Sequence, residues 1–368
     1  MKKIAFFMNN LYGGGAEKVL QTILNNFDYK NYDVSLYSFS QDSLDKTVYT
    51  GAVKYKSIFS KSKGIIKKIK GYIFSHCSPG FSYRLLIKEK YDIVIAFTEG
   101  EVTKLVSGAP ENHKKFAWVH IDLINNAWTD FLFSSTKAEA ECYNKFAKIF
   151  CVSKDVKKAF IKKYEVSSDK VEFVQNPIDE KEIIKKSKER SDFLPSARPL
   201  FVTIGRLEDQ KGYLRLVDAL DDLNNYDFEI WILGEGSQRK QIEEKIYKNN
   251  LQQRIKLLGF VKNPYKYLAL ADAYVCSSYA EGFSTVATEA IILSKPVLTT
   301  SVAGMKELFA ESECGVIVKN SNEDLFRMLK NTLEGKYDLE LFKKNAHKRS
   351  KDFTLNKLME GFYKAIEG

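Results

Sequence analysis

The sequence predicts an α/β protein made of two doubly wound parallel sheets. Three observations carry that reading. Short apolar runs of strand length alternate with longer segments of helical periodicity along the chain. The alternation restarts after a stretch crowded with Lys and Glu between Asp179 and Arg190 and marked by Pro177, Pro195 and Pro199. Finally, a chain of 368 residues with 44% hydrophobic and 13% aromatic content can bury a large core and suits about two domains.

Taken in order, strands are expected at 3–8, 34–39, 92–97, 116–119, 149–152 and 171–174 in the first half. The second half repeats the pattern at 200–204, 229–233, 255–258, 273–276 and 296–299. The expected domains are 1–178 and 179–350, with a helix over 351–368, and a cleft is expected between the two domains. The N-terminus places Lys2 and Lys3 before apolar residues, but the run ends at Asn9 and Asn10, too short for a secretory leader, and reads as the first strand. No run approaches the ~20 apolar residues that cross a bilayer, so any membrane association is expected to be peripheral. The five cysteines, at 77, 142, 151, 276 and 314, are scattered without Cys-x-x-Cys spacing. Neither a disulfide framework nor a zinc site is indicated, which fits a cytoplasmic protein.

The first strand runs into Gly13-Gly14-Gly15 and a helix from about Glu17. Strand, glycine loop and helix N-terminus form an anion cradle, because glycines admit close backbone approach and a helix end offers unpaired N–H groups. A plain βα turn is the alternative. A nicotinamide-binding fingerprint is disfavoured, since Lys18 stands at its last glycine position and the nearest suitable acid, Asp42, comes late.

Between Gly51 and Lys90, ten Lys or Arg residues face a single acid, Glu89, so this segment holds nine of the chain's ten net positive charges. Within it Ile65, Ile66, Ile69, Tyr72 and Ile73 share one helical face, and Lys61, Lys63, Lys67, Lys68 and Lys70 occupy the rest. This basic amphipathic helix suits docking on an anionic membrane surface or contact with an acceptor; the alternative is a solvated lysine face on an ordinary helix. No nucleic-acid motif accompanies it, and no nucleic-acid partner is expected.

Next, Phe116 to Val119 is a strand ending in His120 and Asp122, at the edge where open α/β sheets bind ligands. Phe201 to Ile204 leads into Gly205-Arg206 and Lys211-Gly212, where two positive side chains on a strand's C-terminal loop can hold a diphosphate and stabilise it on departure. Gly234 and Phe260 follow two further strands, in segments that also read as simple turns. Last comes Ser277-Ser278-Tyr279-Ala280-Glu281-Gly282-Phe283-Ser284, after a buried strand and before a helix. Ser284 is placed to cap that helix, Gly282 admits a ligand to the backbone, and the N–H groups of Phe283, Ser284 and Thr285 suit an anion. Glu281 in the loop and Glu289 inside the helix would meet hydroxyls at different parts of one ligand.

This Glu-x7-Glu stretch closely resembles the donor-site motif of retaining GT-B glycosyltransferases of family 4, which build bacterial surface glycans such as capsules. The resemblance extends over nearly the whole chain and is strongest from Gly205 to Glu307. It implies a hexosyl- or N-acetylhexosaminyltransferase using a nucleotide diphosphate sugar, by family habit UDP, and a lipid-linked or oligosaccharide acceptor at the inner face of the plasma membrane. It implies Gly14 and Gly15 beside the diphosphate, His120 near the transferred sugar, Arg206 and Lys211 on the phosphates, Gly205, Gly234, Phe260, Gly282, Phe283 and Ser284 at the donor, Glu281 on the sugar and Glu289 on the ribose. It also implies that the helix over 351–368 crosses back to the first domain. Where the family has a glycine after the asparagine, Asn176 is followed by Pro177. No Asp-x-Asp pair occurs in the chain, and no metal or cofactor is expected. An epimerase of the same architecture and a non-catalytic nucleotide-sugar-binding subunit are the alternatives.

Overall fold

The computed structural model describes residues 1–11, 14–39, 51–59, 71, 73–74 and 77–368. The chain divides into two compact units, Met1–Pro177 with Met359–Gly368, and Ile178–Leu358. The basic segment with Lys63, Lys67, Lys68 and Lys70, together with Gly13, lies outside the described residues.

In the first unit, seven strands form one sheet: β1 (Lys2–Met8), β2 (Tyr32–Ser38), β3 (Lys54–Ser57), β4 (Ile93–Ala96), β5 (Lys114–Val119), β6 (Lys148–Cys151) and β7 (Val171–Phe173). Their order is β3-β2-β1-β4-β5-β6-β7, all parallel. The helices are α1 (Gly15–Asn25), α2 (Pro79–Leu86), α3 (Glu101–Ser107), α4 (Thr136–Tyr143) and α5 (Lys154–Tyr164). Central strands such as Ile93–Ala96 are buried at every position, which is why they read as continuous apolar runs. Phe7 pairs with Ala96, and Ala96 with Ala117, so β1, β4 and β5 end level with one another. Asn9, Glu99 and His120 emerge from that common edge. Beneath it lies an aromatic core in which Trp118 packs on Phe97 at 5.4 Å and on Phe150 at 4.8 Å.

The second unit repeats the plan with β8 (Leu200–Ile204), β9 (Glu229–Leu233), β10 (Ile255–Gly259), β11 (Ala273–Cys276), β12 (Val297–Thr300) and β13 (Gly315–Val318), in the order β10-β9-β8-β11-β12-β13. Its helices are α6 (Glu180–Ser187), α7 (Tyr213–Asp221), α8 (Arg239–Lys248), α9 (Tyr265–Leu268), α10 (Thr285–Ile292), α11 (Met305–Phe309), α12 (Asn322–Leu333) and α13 (Leu339–Ser350). Leu216, Val217 and Leu220 of α7 pack with Ile230, Ile232, Val275 and Leu298 of the sheet, the helical periodicity of 3.6 meeting the alternation of strands. A last helix, α14 (Leu355–Glu367), ends in the first unit, where Phe362 stacks on Trp118 at 5.5 Å and Tyr363 Oη accepts from Asp28 N at 2.7 Å.

Two strands differ from expectation by being present at all. β3, with sequence Lys-Tyr-Lys-Ser, and β13, Gly-Val-Ile-Val, are four-residue edge strands and only partly buried. β3 has no apolar run to announce it, whereas β13 carries the short run Val316–Val318 that the expected strands did not include. The first helix begins at Gly15 rather than near Glu17, with Gly14 as its extended N-cap.

Candidate functional site

The second unit gathers its candidate residues on loops at the C-terminal edge of its sheet. The loop after β11 carries Glu281, and its backbone is tied down one carbonyl at a time. Ser277 O accepts from Arg215 Nε at 2.8 Å, Ser278 O from Arg215 Nη2 at 2.7 Å and Thr300 Oγ1 at 2.9 Å, Tyr279 O from Asn320 Nδ2 at 2.9 Å, and Ala280 O from Gln210 Nε2 at 2.9 Å. Four consecutive carbonyls are thus held by side chains from other elements. Gly212 is obligatory beneath them: its φ is +64°, and a Cβ there would stand 2.2 Å from Ser277 O.

Glu281 is buried, and its Oε1 accepts from Lys211 Nζ at 2.7 Å and from Ser278 Oγ at 2.6 Å. The two charged groups assigned from sequence to phosphate and to sugar therefore meet each other. An ammonium has three donors, and Glu281 takes one. Arg206 is exposed on the loop after β8. Beside it Glu208 accepts from Ser237 Oγ at 2.6 Å and Ser237 N at 2.9 Å, bonds that with the Arg206 charge hold its carboxyl below the usual range.

Glycines lock the neighbouring loops. A Cβ at Gly234, where φ is +146°, would meet Gly205 O at 1.9 Å, so the turns after β8 and β9 lie backbone on backbone. At Gly304, with φ +79°, it would meet Gly282 O at 2.6 Å and Phe283 Cα at 3.1 Å, so the loop before α11 rests on the residues that enter α10. Ser284 caps α10, its Oγ accepting from Ala287 N at 3.2 Å. Among the described residues, the N–H groups of Phe283, Ser284 and Thr285 have no acceptor, as the first turn of a helix leaves them. Glu289 lies in the second turn, 1% exposed, with Tyr265 Oη donating to its Oε1 at 3.4 Å. Phe260, after β10, is 72% exposed.

In the first unit, His120 follows β5, its ring 5.0 Å from that of Phe97. Burial pulls its pKa down to about 4, against a hydrogen bond to the Phe97 backbone. The imidazole is therefore neutral at pH 7, and buried Nε2 has no partner among the described residues. With the other nitrogen donating to a carbonyl, Nε2 is the acceptor. Asp122 plays a local part: Oδ1 accepts from Ile124 N at 2.9 Å and Asn125 N at 3.2 Å, closing a turn.

Sequence reasoning missed two buried charged residues. Glu99 follows β4, 3% exposed; its Oε1 accepts from His120 N and, at 3.2 Å, from Ile121 N. Burial raises its carboxyl to about 7 in spite of these bonds. Arg215 sits on α7, in the first turn after Gly212, and burial lowers its pKa from the ordinary guanidinium value. A charge flanked by Leu214 and Leu216, and an acid three residues beyond an apolar strand, were the available signals.

Two family profiles match the chain: Glycosyltransferase Family 4 over residues 13–182 and Glycosyl transferases group 1 over residues 184–349. The chain belongs to the family 4 glycosyltransferases. Among relatives of this transferase is the N-acetylgalactosamine-N,N'-diacetylbacillosaminyl-diphospho-undecaprenol 4-alpha-N-acetylgalactosaminyltransferase of Campylobacter jejuni, 27% identical over 379 aligned positions covering all of both chains. A second Campylobacter jejuni enzyme, an alpha-1,4-N-acetyl-D-galactosaminyltransferase named for a GalNAc-GalNAc-diNAcBac-PP-undecaprenol, is 24% identical over 100% of this chain and 98% of its own. Among solved structures, HepE of Anabaena in complex with UDP and glucose superimposes with a TM-score of 0.79 at 18% identity, and TarM of S. aureus in complex with UDP with 0.77 at 14%, each covering both chains completely. These likenesses show the GT-B fold. Within this transferase, Gly205, Arg206, Lys211, Gly234, Phe260, Glu281, Gly282, Phe283, Ser284 and Glu289 belong to the second unit, and Gly14, Gly15 and His120 to the first.

Proposed function

We propose that this transferase moves a hexose or N-acetylhexosamine from UDP to a glycan carried on undecaprenyl diphosphate, with retention of anomeric configuration and without a metal ion. The observation that carries the reading is the pinned loop of Glu281 beside Lys211 and the capped N-terminus of α10. A carboxylate for sugar hydroxyls thus adjoins positive groups for a diphosphate. End-to-end similarity to the Campylobacter jejuni N-acetylgalactosaminyltransferase supports the lipid-linked acceptor, and the UDP complex of HepE supports the nucleotide.

In this reading the C1–O bond to the β-phosphate breaks as the acceptor hydroxyl attacks from the same face. The hydroxyl proton passes to the departing β-phosphate oxygen. Arg206, the remaining Lys211 donors and the amides at the start of α10 stabilise the charge on that phosphate. Glu281 accepts from hydroxyls of the transferred sugar and Glu289 from the ribose. Gly205, Gly234, Phe260 and Gly282 shape the donor's surroundings.

No helix among the described residues is long and apolar enough to cross a membrane. The excess of basic residues between Gly51 and Lys90, with Lys63, Lys67, Lys68 and Lys70, suits peripheral docking on anionic lipid at the cytoplasmic face, about 1 kcal/mol per basic residue.

The test is turnover of UDP-GalNAc, UDP-GlcNAc, UDP-galactose and UDP-glucose with a synthetic undecaprenyl-diphosphate disaccharide in EDTA, read by mass spectrometry and anomeric NMR couplings. An α-linked product from one donor is expected. A β-linked product overturns retention, loss of turnover in EDTA overturns metal independence, and a free epimer with no glycan product overturns transfer.

A further inference from the structure

We propose that Arg215 is a positioning residue for sugar transfer: its guanidinium fixes the backbone of Ser277 and Ser278 and, through it, the carboxylate of Glu281. The proposal rests on the reading that Glu281 meets the transferred sugar. Arg215 is 3% exposed, and among the described residues no carboxylate forms an ion pair with it. A buried guanidinium without a counter-ion is an expensive way to fill a core, since an unbranched apolar side chain of similar volume carries no desolvation penalty. What it gains is directional. Nε donates to Ser277 O at 2.8 Å, and Nη2 to Ser278 O at 2.7 Å and to Thr300 Oγ1 at 3.4 Å, while the guanidinium carbon lies 3.8 Å from the centre of the Tyr279 ring.

The chain of support then runs outward without a break. Ser278, whose carbonyl is held by Arg215 and Thr300, donates through its own Oγ to Glu281 Oε1 at 2.6 Å. Ser277, whose carbonyl Arg215 also holds, donates through its Oγ to Lys211 O at 2.9 Å. Both members of the Lys211–Glu281 pair are thus anchored to residues that Arg215 clamps. Gly212 belongs to the same device, because a Cβ there would come within 2.8 Å of Arg215 Nε. Only a planar fork with several N–H groups serves two successive carbonyls while lying flat on a ring. A lysine at 215 would reach one of them.

Glu281 acts on the sugar in this account, so loosening its loop lowers the rate of transfer and leaves nucleotide affinity in place. The experiment compares wild type, Arg215→Lys and Arg215→Met, each with and without Glu281→Gln, in kcat and KM for the UDP-sugar and in Kd for UDP. Hydrogen exchange at the Tyr279 amide, which donates to Gln210 O at 2.8 Å, reports the loop directly. The expected result is a kcat lowered ~10-fold to 100-fold in Arg215→Lys, the scale of a misplacement near 1 Å, with Kd for UDP changed less than about 3-fold. Exchange at Tyr279 accelerates, and the Arg215 substitutions lower kcat no further once Glu281→Gln is present. If Arg215→Lys retains wild-type kcat, or its loss persists in full on the Glu281→Gln background, or UDP affinity falls in step with kcat, the positioning role is wrong. Wild type that transfers no sugar fails the functional reading instead, and Tyr279 exchange unchanged in Arg215→Lys overturns the clamp independently of activity.

Discussion

Glu99→Gln is the perturbation whose size follows most directly from the structure. Burial raises the Glu99 carboxyl from 4.5 to about 7, against the N–H bonds from its own backbone, His120 and Ile121 that favour the charged form. An acid whose folded pKa exceeds its unfolded value takes up protons on folding. Its contribution to stability is fully present below pH 4.5 and is lost as pH rises through 7. Integrating between those values, the group lowers wild-type stability by about 2.5 kcal/mol from pH 5 to pH 8. Its neighbour Glu139, on α4, pushes in the same direction, and His120 stays neutral across this window. Glutamine keeps an acceptor for both N–H groups and carries no charge. Urea unfolding at pH 5 and pH 8, followed by tryptophan fluorescence with Trp118 buried in the same unit, gives the difference between variant and wild type. That difference is expected to move toward the variant by about 2.5 kcal/mol as pH rises. A difference constant within about 0.5 kcal/mol would refute the titration of Glu99 in this range.

Gly212→Ala places a Cβ 2.2 Å from a carbonyl that Arg215 holds still, at φ +64°, and is expected to destabilise the second unit by at least about 2 kcal/mol in urea unfolding. A loss below about 0.5 kcal/mol would show that the loop yields. Glu289→Ala is expected to weaken UDP binding by about 1.5 to 3 kcal/mol, measured by calorimetry; an unchanged Kd would remove its proposed ribose contact. A double-mutant cycle of Lys211→Met and Glu281→Gln is expected to show a coupling of about 1 kcal/mol, modest because the lysine is partly exposed and its partner keeps the bond from Ser278. Additive effects would mean that the 2.7 Å pair adds nothing to stability.

The parallel architecture was legible because buried parallel strands are largely apolar: β8, β9 and β11 span the expected 200–204, 229–233 and 273–276. The edge strand β3 escaped because it carries two lysines and no apolar run, while β13, with Val316, Ile317 and Val318, is a short apolar run that the expected strands left out. Ser284 as a cap could be read from its place before a helical pattern, since capping is local. The roles of Arg215 and Glu99 could not, because their partners lie 62 and 21 residues away, and only the fold brings a carbonyl or an amide to them. The carboxylate of Asp122, after β5, closes its own turn, a local bond like the cap of Ser284.

The account's central claim is that this chain holds a nucleoside diphosphate through the loop after β8. Calorimetry of UDP against wild type and the Arg206→Ala/Lys211→Ala double variant, without divalent metal, tests it most directly. Wild type is expected to bind with Kd on the order of micromolar, and the variant at least about 100-fold more weakly. Folded wild type that binds no UDP, or a variant that binds equally well, would contradict it.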